Sequence, residues 1–305
     1  MIDLVGKRNW FFLISAIVII PGIISLAVFG LKPGVDFSSG TAMTLHFDKE
    51  VEQSQLRQEL TDLGYDNVVV QPAGEGDFFL RLPEISAEET TKLKEGLETG
   101  LDTTITISSL YSVSPIVARG TVRNTIIAIV VAAVAILLYI TWAFRKMPNP
   151  FRWGTCAVIA LIHDLVVVIA IFSILGWVAG VEVDALFVTG VLAVVGVSVN
   201  NIVVVFDRIR ENMKRGVSHD FEVIVNYGIT ESLGRSLNTG LATIFVILAL
   251  YLLGGTTTHT LVLALLIGIA TGIYSSLCIA GQLLVVWEKG LTSRRKAAPS
   301  PARSL

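Results

Sequence analysis

The chain has 305 residues, of which 53% are hydrophobic and only 16% charged, with a mean hydropathy of +0.71. A soluble domain carries roughly 25% charged residues, so this composition describes a polytopic membrane protein instead. The formal net charge is -2 but the charges are segregated: positions 32–119 hold fifteen of the 25 Asp and Glu and only seven of the 23 Lys and Arg.

Crossing a bilayer as a helix takes about 20 apolar residues. Six stretches qualify: 10–31, 124–144, 154–176, 184–206, 233–253 and 261–287. The first follows Lys7 and Arg8. Its apolar core exceeds the roughly 7–15 residues of a signal-peptide core and no small-x-small cleavage site follows, so it reads as a retained anchor. Positions 1–31 are therefore an N-terminus plus span one.

Positions 32–122 read as a domain of their own. Residues 41–47 alternate like a strand, and 53–63 carry Leu56, Leu60 and Leu63 at helical spacing. The stretch 67–71 is rich in valine, and 78–82 follows a Gly-Glu-Gly-Asp turn. Ser86 with Glu89 three residues on is a capping-box pattern, opening a helix that carries Leu93 and Leu97. Residues 103–113 alternate again. The order βαββαβ is the split ferredoxin-like pattern. The five further spans form a membrane bundle over 123–290, and the Pro-, Ser- and Ala-rich tail 291–305 predicts disorder.

Lys and Arg set the orientation. They crowd the N-terminus, the link with Arg145, Lys146 and Arg152, the link with Arg208, Arg210, Lys214 and Arg215, and the tail with Lys289, Arg294, Arg295 and Lys296. The alternate links, 177–183 and 254–260, have none. The reading is a multi-pass protein of the cytoplasmic membrane, with both termini cytoplasmic and 32–122 outside.

Polar groups inside hydrocarbon are costly and face a bundle, a cavity or a pathway. His163 and Asp164 lie about ten residues into span three, or roughly 15 Å deep at 1.5 Å per residue. Asn200 and Asn201 lie roughly 10 Å deep in span four by the same rise, and Arg235 begins span five. Similar depths on three helices predict a mutually paired cluster: a proton or ion relay, or else interhelical hydrogen-bond glue. Asp207, Arg208, Arg210 and Glu211 read as a charged helix end with local ion pairs. Phe221, Ile224 and Val225 suggest a short interfacial helix, and Gly268 with Gly272 suggests close helix packing. The cysteines Cys156 and Cys278, both inside apolar runs, read as small hydrophobes. No nucleotide loop, nucleophile elbow, metal spacing or nucleic-acid pattern occurs, so the sequence predicts no enzyme, cofactor or metal.

Several motifs together resemble the SecD/SecF family of the bacterial Sec export system, within the resistance-nodulation-division (RND) superfamily. Gly34-Val35-Asp36-Phe37-Ser38-Ser39-Gly40 is similar to the family's GVDF-x-GG turn, with Ser39 for a Gly. Val113-Ser114-Pro115 resembles its V-G-P, and His163-Asp164 its HD. Positions 196–212, GVSVNNIVVVFDRIREN, resemble its GYSIND-TIVVFDRIREN signature, ending at Asn212. Leu233–Thr239 resembles its LSRTLNT element around Arg235. The resemblance covers roughly 7–287. It implies an RND half-transporter of six spans with an external ferredoxin-like domain, working in the lipid bilayer. It also implies a partner, SecD, the SecYEG translocon and associated Sec factors, unfolded secretory polypeptides as clients, and protons as the energy source. The signature's titratable Asp is Asn201 here, and an amide carries no proton. The resemblance therefore leaves the relay to Asp164, water or a SecD carboxylate. Two other readings stand beside it: a small-molecule or lipid RND exporter, and a passive scaffold for SecD.

Overall fold

The computed structural model describes residues 3–66, 68–74, 76–255 and 258–289. Asn67, Glu75 and the tail 291–305, on which parts of the sequence reading fell, lie outside the described residues. A 3-10 turn, Val5–Lys7, leads into α1, Arg8–Phe29. The short α2, Val35–Ser38, precedes strand β1, Gly40–Phe47. Then come α3 (Gln53–Asp62), β2 (Val69–Gly74), β3 (Asp77–Leu82), α4 (Ala87–Leu101) and β4 (Ile105–Val113). The rest is helical: α5 (Pro115–Ala143), α6 (Pro150–Ala179), α7 (Ala185–Arg215), α8 (Phe221–Leu253), α9 (His259–Ser275), a π turn (Ser276–Ala280) and α10 (Gly281–Lys289).

The strands form one antiparallel sheet in the order β2-β3-β1-β4. Alternation drives it: Met43, Leu45 and Phe47 of β1 and Phe78, Leu80 and Leu82 of β3 turn inward. Leu56 and Leu60 of α3 and Leu93 and Leu97 of α4 cover them, all buried. The capping box at α4 forms in full: the Ser86 backbone N–H donates to Glu89 (2.7 Å) and the Glu89 N–H donates to the Ser86 hydroxyl (3.2 Å). That reciprocal pair satisfies two orphan donors at the helix start and fixes where α4 begins.

Among the described residues, six helices are long and apolar enough to cross a membrane. They overrun the apolar stretches that announce them, because a helix continues through polar turns that a bilayer would not hold. Proline at N1 starts both α5 and α6 ahead of their apolar cores. The short interfacial helix expected at Phe221–Val225 does not occur as such. It is the first turn and a half of the 33-residue α8, and Ile224 and Val225 are buried against the bundle.

Small residues set the helix contacts. Ser15, Gly22 and Ser25 of α1 meet His163, Ala170 and Ser173 of α6, the two hydrogen-bonded pairs each separated by 148 residues in the chain. One constant offset means two parallel helices in register. A Cβ on Gly22 would come within 2.1 Å of the Ala170 Cβ, so the glycine permits the approach. The same device joins α7 to α9, where Gly190, Val194 and Ser198 lie against Ala264, Gly268 and Gly272 at another constant offset. A Cβ on Gly268 would meet Val194 at 2.2 Å. With no hydrophobic drive between helices in lipid, such close approach supplies the packing attraction.

Candidate proton site and domain junction

The middle of α6 carries His163 and Asp164. Asp164 is only 1% exposed, and its carboxylate is satisfied by three helices. The Ser198 hydroxyl on α7 donates to Oδ2 at 2.5 Å, and the Ser275 hydroxyl at the end of α9 donates to the same oxygen at 2.8 Å. His163 Nδ1 lies 3.1 Å from Oδ1. The packing described above brings Ser198 here, since it is the third member of the α7–α9 register. Ser275 is the last α-helical residue before the π turn, where an extra residue per turn re-aims the helix; such turns recur at functional sites.

From His163 the polar contacts continue toward α1. Its Nε2 lies 2.9 Å from the Ser15 hydroxyl, which lies 3.3 Å from the Tyr274 hydroxyl. Tyr274 donates to the Phe11 carbonyl at 2.7 Å. Four helical segments thus build one connected polar chain through the bundle.

The other sequence candidates do not join it. Asn200 is exposed and Asn201 half-buried, two and three residues past Ser198 and turned to other sides of α7, and neither hydrogen-bonds a described residue. Arg235 is exposed on α8 without an ion-pair partner among the described residues. The expected mutual pairing of Asp164, the amides and Arg235 is therefore not the arrangement present. Depth along the helices matches; rotation about them does not. Arg235 and Asn200 are instead exposed, on α8 and α7 respectively. At the end of α7, Asp207 pairs with Arg210, and Glu211 pairs with Arg208 and Arg215, both at 2.6 Å. Asn212 is buried and donates to Glu231 of α8 at 3.0 Å, tying the two helices together.

The turn after α1 builds a second polar site. Gly34 N–H donates to the Val183 carbonyl (2.7 Å) and Val183 N–H to the Lys32 carbonyl (2.8 Å), locking the turn to the link between α6 and α7. Asp36 bridges three elements: Oδ1 accepts from the Tyr111 hydroxyl of β4 (2.9 Å), and Oδ2 accepts from the Ala185 N–H at the start of α7 (2.7 Å). Phe37 packs into the apolar cluster with Val183 and Phe187. Two successive residues, Ser39 and Gly40, have φ of +64° and +127°. A Cβ already sits in the first, a region that is essentially glycine-only and costs about 1–3 kcal/mol for other residues. Ser39→Gly is expected to raise the stability of the full chain by about that amount, read as a higher unfolding midpoint in lipid.

The sheet docks on the same link. Arg81 of β3 pairs with Glu182 at 3.1 Å and donates to the Pro33 carbonyl, while Gln71 donates to the Gly180 carbonyl at 3.3 Å. Burial pushes the Glu182 carboxyl above the usual range, more than neighbouring Arg81 and Lys32 pull it down. The docked chain therefore holds more proton on Glu182 than the undocked chain, between the ordinary glutamate range and the raised value. Docking weakens as pH rises through that window and is tightest below it. Hydrogen exchange in the 180–184 link should show this slope, and Glu182→Gln should flatten it. An unchanged slope would show that another group titrates.

Comparison with known proteins decides the family. The family model described as protein export membrane protein SecD/SecF, C-terminal, matches residues 93–290, and the SecD/SecF GG motif matches residues 24–51. The chain is 46% identical over 300 residues to protein translocase subunit SecF of Thermobaculum terrenum, covering 94% of each chain. It is 40% identical to the SecF subunit of Anaerolinea thermophila, covering 95% of each. The chain belongs to the SecD/SecF protein-export family.

A solved SecDF from Thermus thermophilus matches with a TM-score of 0.83 at 30% identity, over 94% of this chain and 38% of that one. The Bacillus subtilis SecDF matches at 31% identity over 94% of this chain and 38% of its own length. This chain thus spans about two-fifths of the SecDF relatives and nearly all of the SecF ones. The small-molecule exporter reading finds no support among these relatives. The SecD/SecF GG motif falls on the turn whose backbone geometry favours glycine at Ser39 and Gly40. Sequence reasoning missed Ser15, Ser198, Ser275 and Tyr274, and it missed Arg81, Tyr111 and Glu182 at the junction. Ser198 alone left a signal, lying inside the 196–212 signature.

Proposed function

We propose that this chain is the SecF-type half of a Sec translocase accessory complex, acting with a SecD-type partner and the SecYEG translocon. It uses the proton-motive force to help draw unfolded secretory polypeptides across the cytoplasmic membrane. The Lys- and Arg-rich links put both termini in the cytoplasm and the sheet domain outside. In that orientation the Asp36 and Glu182 junction couples the outer domain directly to the ends of α6 and α7.

The observation that carries the reading is the near-full-length relationship to SecF chains. A buried carboxylate at the centre of the bundle adds a group able to carry a proton. Arg235 and Asn200 on the outer surface supply polar groups for a partner helix, and a SecD-type carboxylate is the complement Arg235 requires. Co-expression with a SecD-type chain and native detergent extraction tests the assembly. Stable co-purification is expected, and its failure would overturn the reading.

Asn201 favours one competing reading, a passive scaffold in which only the partner moves protons. Asp164→Asn in a chain that still co-purifies with its partner, compared in a reconstituted export assay with and without a proton gradient, separates the two. A scaffold that keeps its partner loses nothing gradient-dependent when its buried carboxylate is removed.

A further inference from the structure

The polar chain from Asp164 to Phe11 contains more contacts than it has protons to fill them. Each hydrogen bond needs one proton between its heavy atoms. Four contacts run in series: Asp164–His163, His163–Ser15, Ser15–Tyr274 and Tyr274–Phe11 carbonyl. A neutral His163, Ser15 and Tyr274 bring one proton each, which leaves one contact facing acceptor to acceptor. Ionised Asp164 and the Phe11 carbonyl bring none. Nor can the carboxylate borrow from its other side, because Ser198 and Ser275 both spend their protons on Oδ2.

We infer that this conformation is built to hold one additional proton on the His163–Asp164 pair, with His163 as imidazolium against the Asp164 carboxylate. The count then closes. Nδ1–H donates to Asp164, and on the other side of the ring Nε2–H donates to Ser15, Ser15 to Tyr274 and Tyr274 to the Phe11 carbonyl. Charge agrees with the count. Without the proton the pair carries -1 in the middle of a membrane-spanning helix; with it the pair is neutral, and an unpaired charge is what burial penalises most. The groups facing the pair from α1, α7 and α9 are Ser15, Ser198, Ser275 and Tyr274, none of them fully charged. Arg8 and Arg152 are committed to Glu222 and Glu288 near the starts of α1 and α6. Ser198 and Ser275 act as positioning residues that hold Asp164 Oδ2 and leave Oδ1 to the ring. A proton leaving the ring leaves Ser15 and Tyr274 to reorient, so the chain leads from mid-helix toward the first turns of α1.

The use of this proton in export rests on the reading proposed above, but its presence does not. Nitrogen-15 histidine spectra of the full chain in lipid vesicles test it directly, with His163 assigned by its loss in His163→Gln and exposed His219 as the internal reference. His163 should remain doubly protonated at a pH where His219 is neutral, and Asp164→Asn should abolish that signal. Tyr274→Phe removes two contacts, Ser15–Tyr274 and Tyr274–Phe11 carbonyl, and one proton. Two contacts and two protons then remain, so the doubly protonated fraction should be smaller there than in the unaltered chain at the same pH. Ser15→Ala balances the count in the same way and serves if Tyr274→Phe does not fold. A neutral His163 in the unaltered chain would overturn the inference, as would a doubly protonated fraction that is undiminished in a folded Tyr274→Phe or Ser15→Ala chain. Gradient-driven export could fail or persist independently of either result.

Discussion

Asp164→Asn is expected to abolish the proton-gradient-dependent part of export while leaving a folded, partner-binding chain. The substitution is nearly isosteric. An amide oxygen still accepts from Ser198 and Ser275, as Oδ2 does now, and the amide nitrogen meets a neutral His163 in its acceptor tautomer. The packing that brings α1, α6, α7 and α9 together rests on small residues and is untouched. What disappears is the ionisable group, and with it the partner that stabilises a protonated ring. The measurement is translocation of a secretory protein into proteoliposomes holding the full complex, with and without an imposed gradient. The gradient-stimulated increment should vanish and the ATP-driven basal level should remain. An unchanged increment, with co-purification intact, would assign proton transfer to the partner chain and leave this one as a scaffold. Asn201→Asp is the companion case. Asn201 is half-buried beside the surface that Asn200 exposes, so a carboxylate there would face the partner and not the Asp164 chain. It should add to the gradient response without rescuing Asp164→Asn.

Spans, sheet order and the turn after α1 were legible in the sequence because each has a strong local cause. Hydropathy marks a helix that must shed water, alternation marks a half-buried strand, and Ser86 with Glu89 marks a helix start. The candidate site was legible only in part. Hydropathy gives the depth of a polar residue but not its rotation about the helix axis, so Asn200, Asn201 and Arg235 matched Asp164 in level and diverged from it in direction. That rotation is set by the registers between α1 and α6 and between α7 and α9, which depend on which glycines and serines meet across a contact. Ser15 is a single hydroxyl in an apolar run and Ser275 sits between Tyr274 and Ser276 in another, all inexpensive enough in a membrane to pass without notice. The junction residues Arg81 and Glu182 lie a hundred residues apart in sequence, and no local pattern connects a strand to a short link between two spans.

Glu222→Ala is expected to be among the most destabilising single changes in the chain, at roughly 3–5 kcal/mol, the usual cost of removing one partner of a buried ion pair. Arg8 Nη1 and Glu222 Oε1 lie 2.8 Å apart with side chains only 7% and 4% exposed. Glu222 stands in the first turn of α8, where a carboxylate also favours the helix dipole. The pair belongs to a larger clasp. Asn226, one turn on, accepts the backbone N–H of Leu4 and Val5 at 2.8 and 3.1 Å, and Gln282 of α10 donates to the Leu4 carbonyl at 3.3 Å. The segment before α1 is thereby fastened to the start of α8 and to the end of the bundle. Removing the carboxylate leaves the Arg8 guanidinium buried without its strongest counter-charge. Glu222→Gln keeps a hydrogen bond and should cost less. The double change Arg8→Met with Glu222→Leu should recover most of the loss, since apolar replacement of both partners removes the desolvation penalty along with the attraction. Thermal unfolding in lipid nanodiscs of the unaltered chain, Arg8→Met, Glu222→Leu and the double change forms a double-mutant cycle that isolates the pair term. A Glu222→Ala loss below about 1 kcal/mol, the level of an exposed pair, would mean that water reaches the clasp. Because α8 also carries Arg235 toward the outer surface, loosening its first turn should weaken partner binding as well as folding, and co-purification of Glu222→Ala should fall while that of the apolar double variant does not.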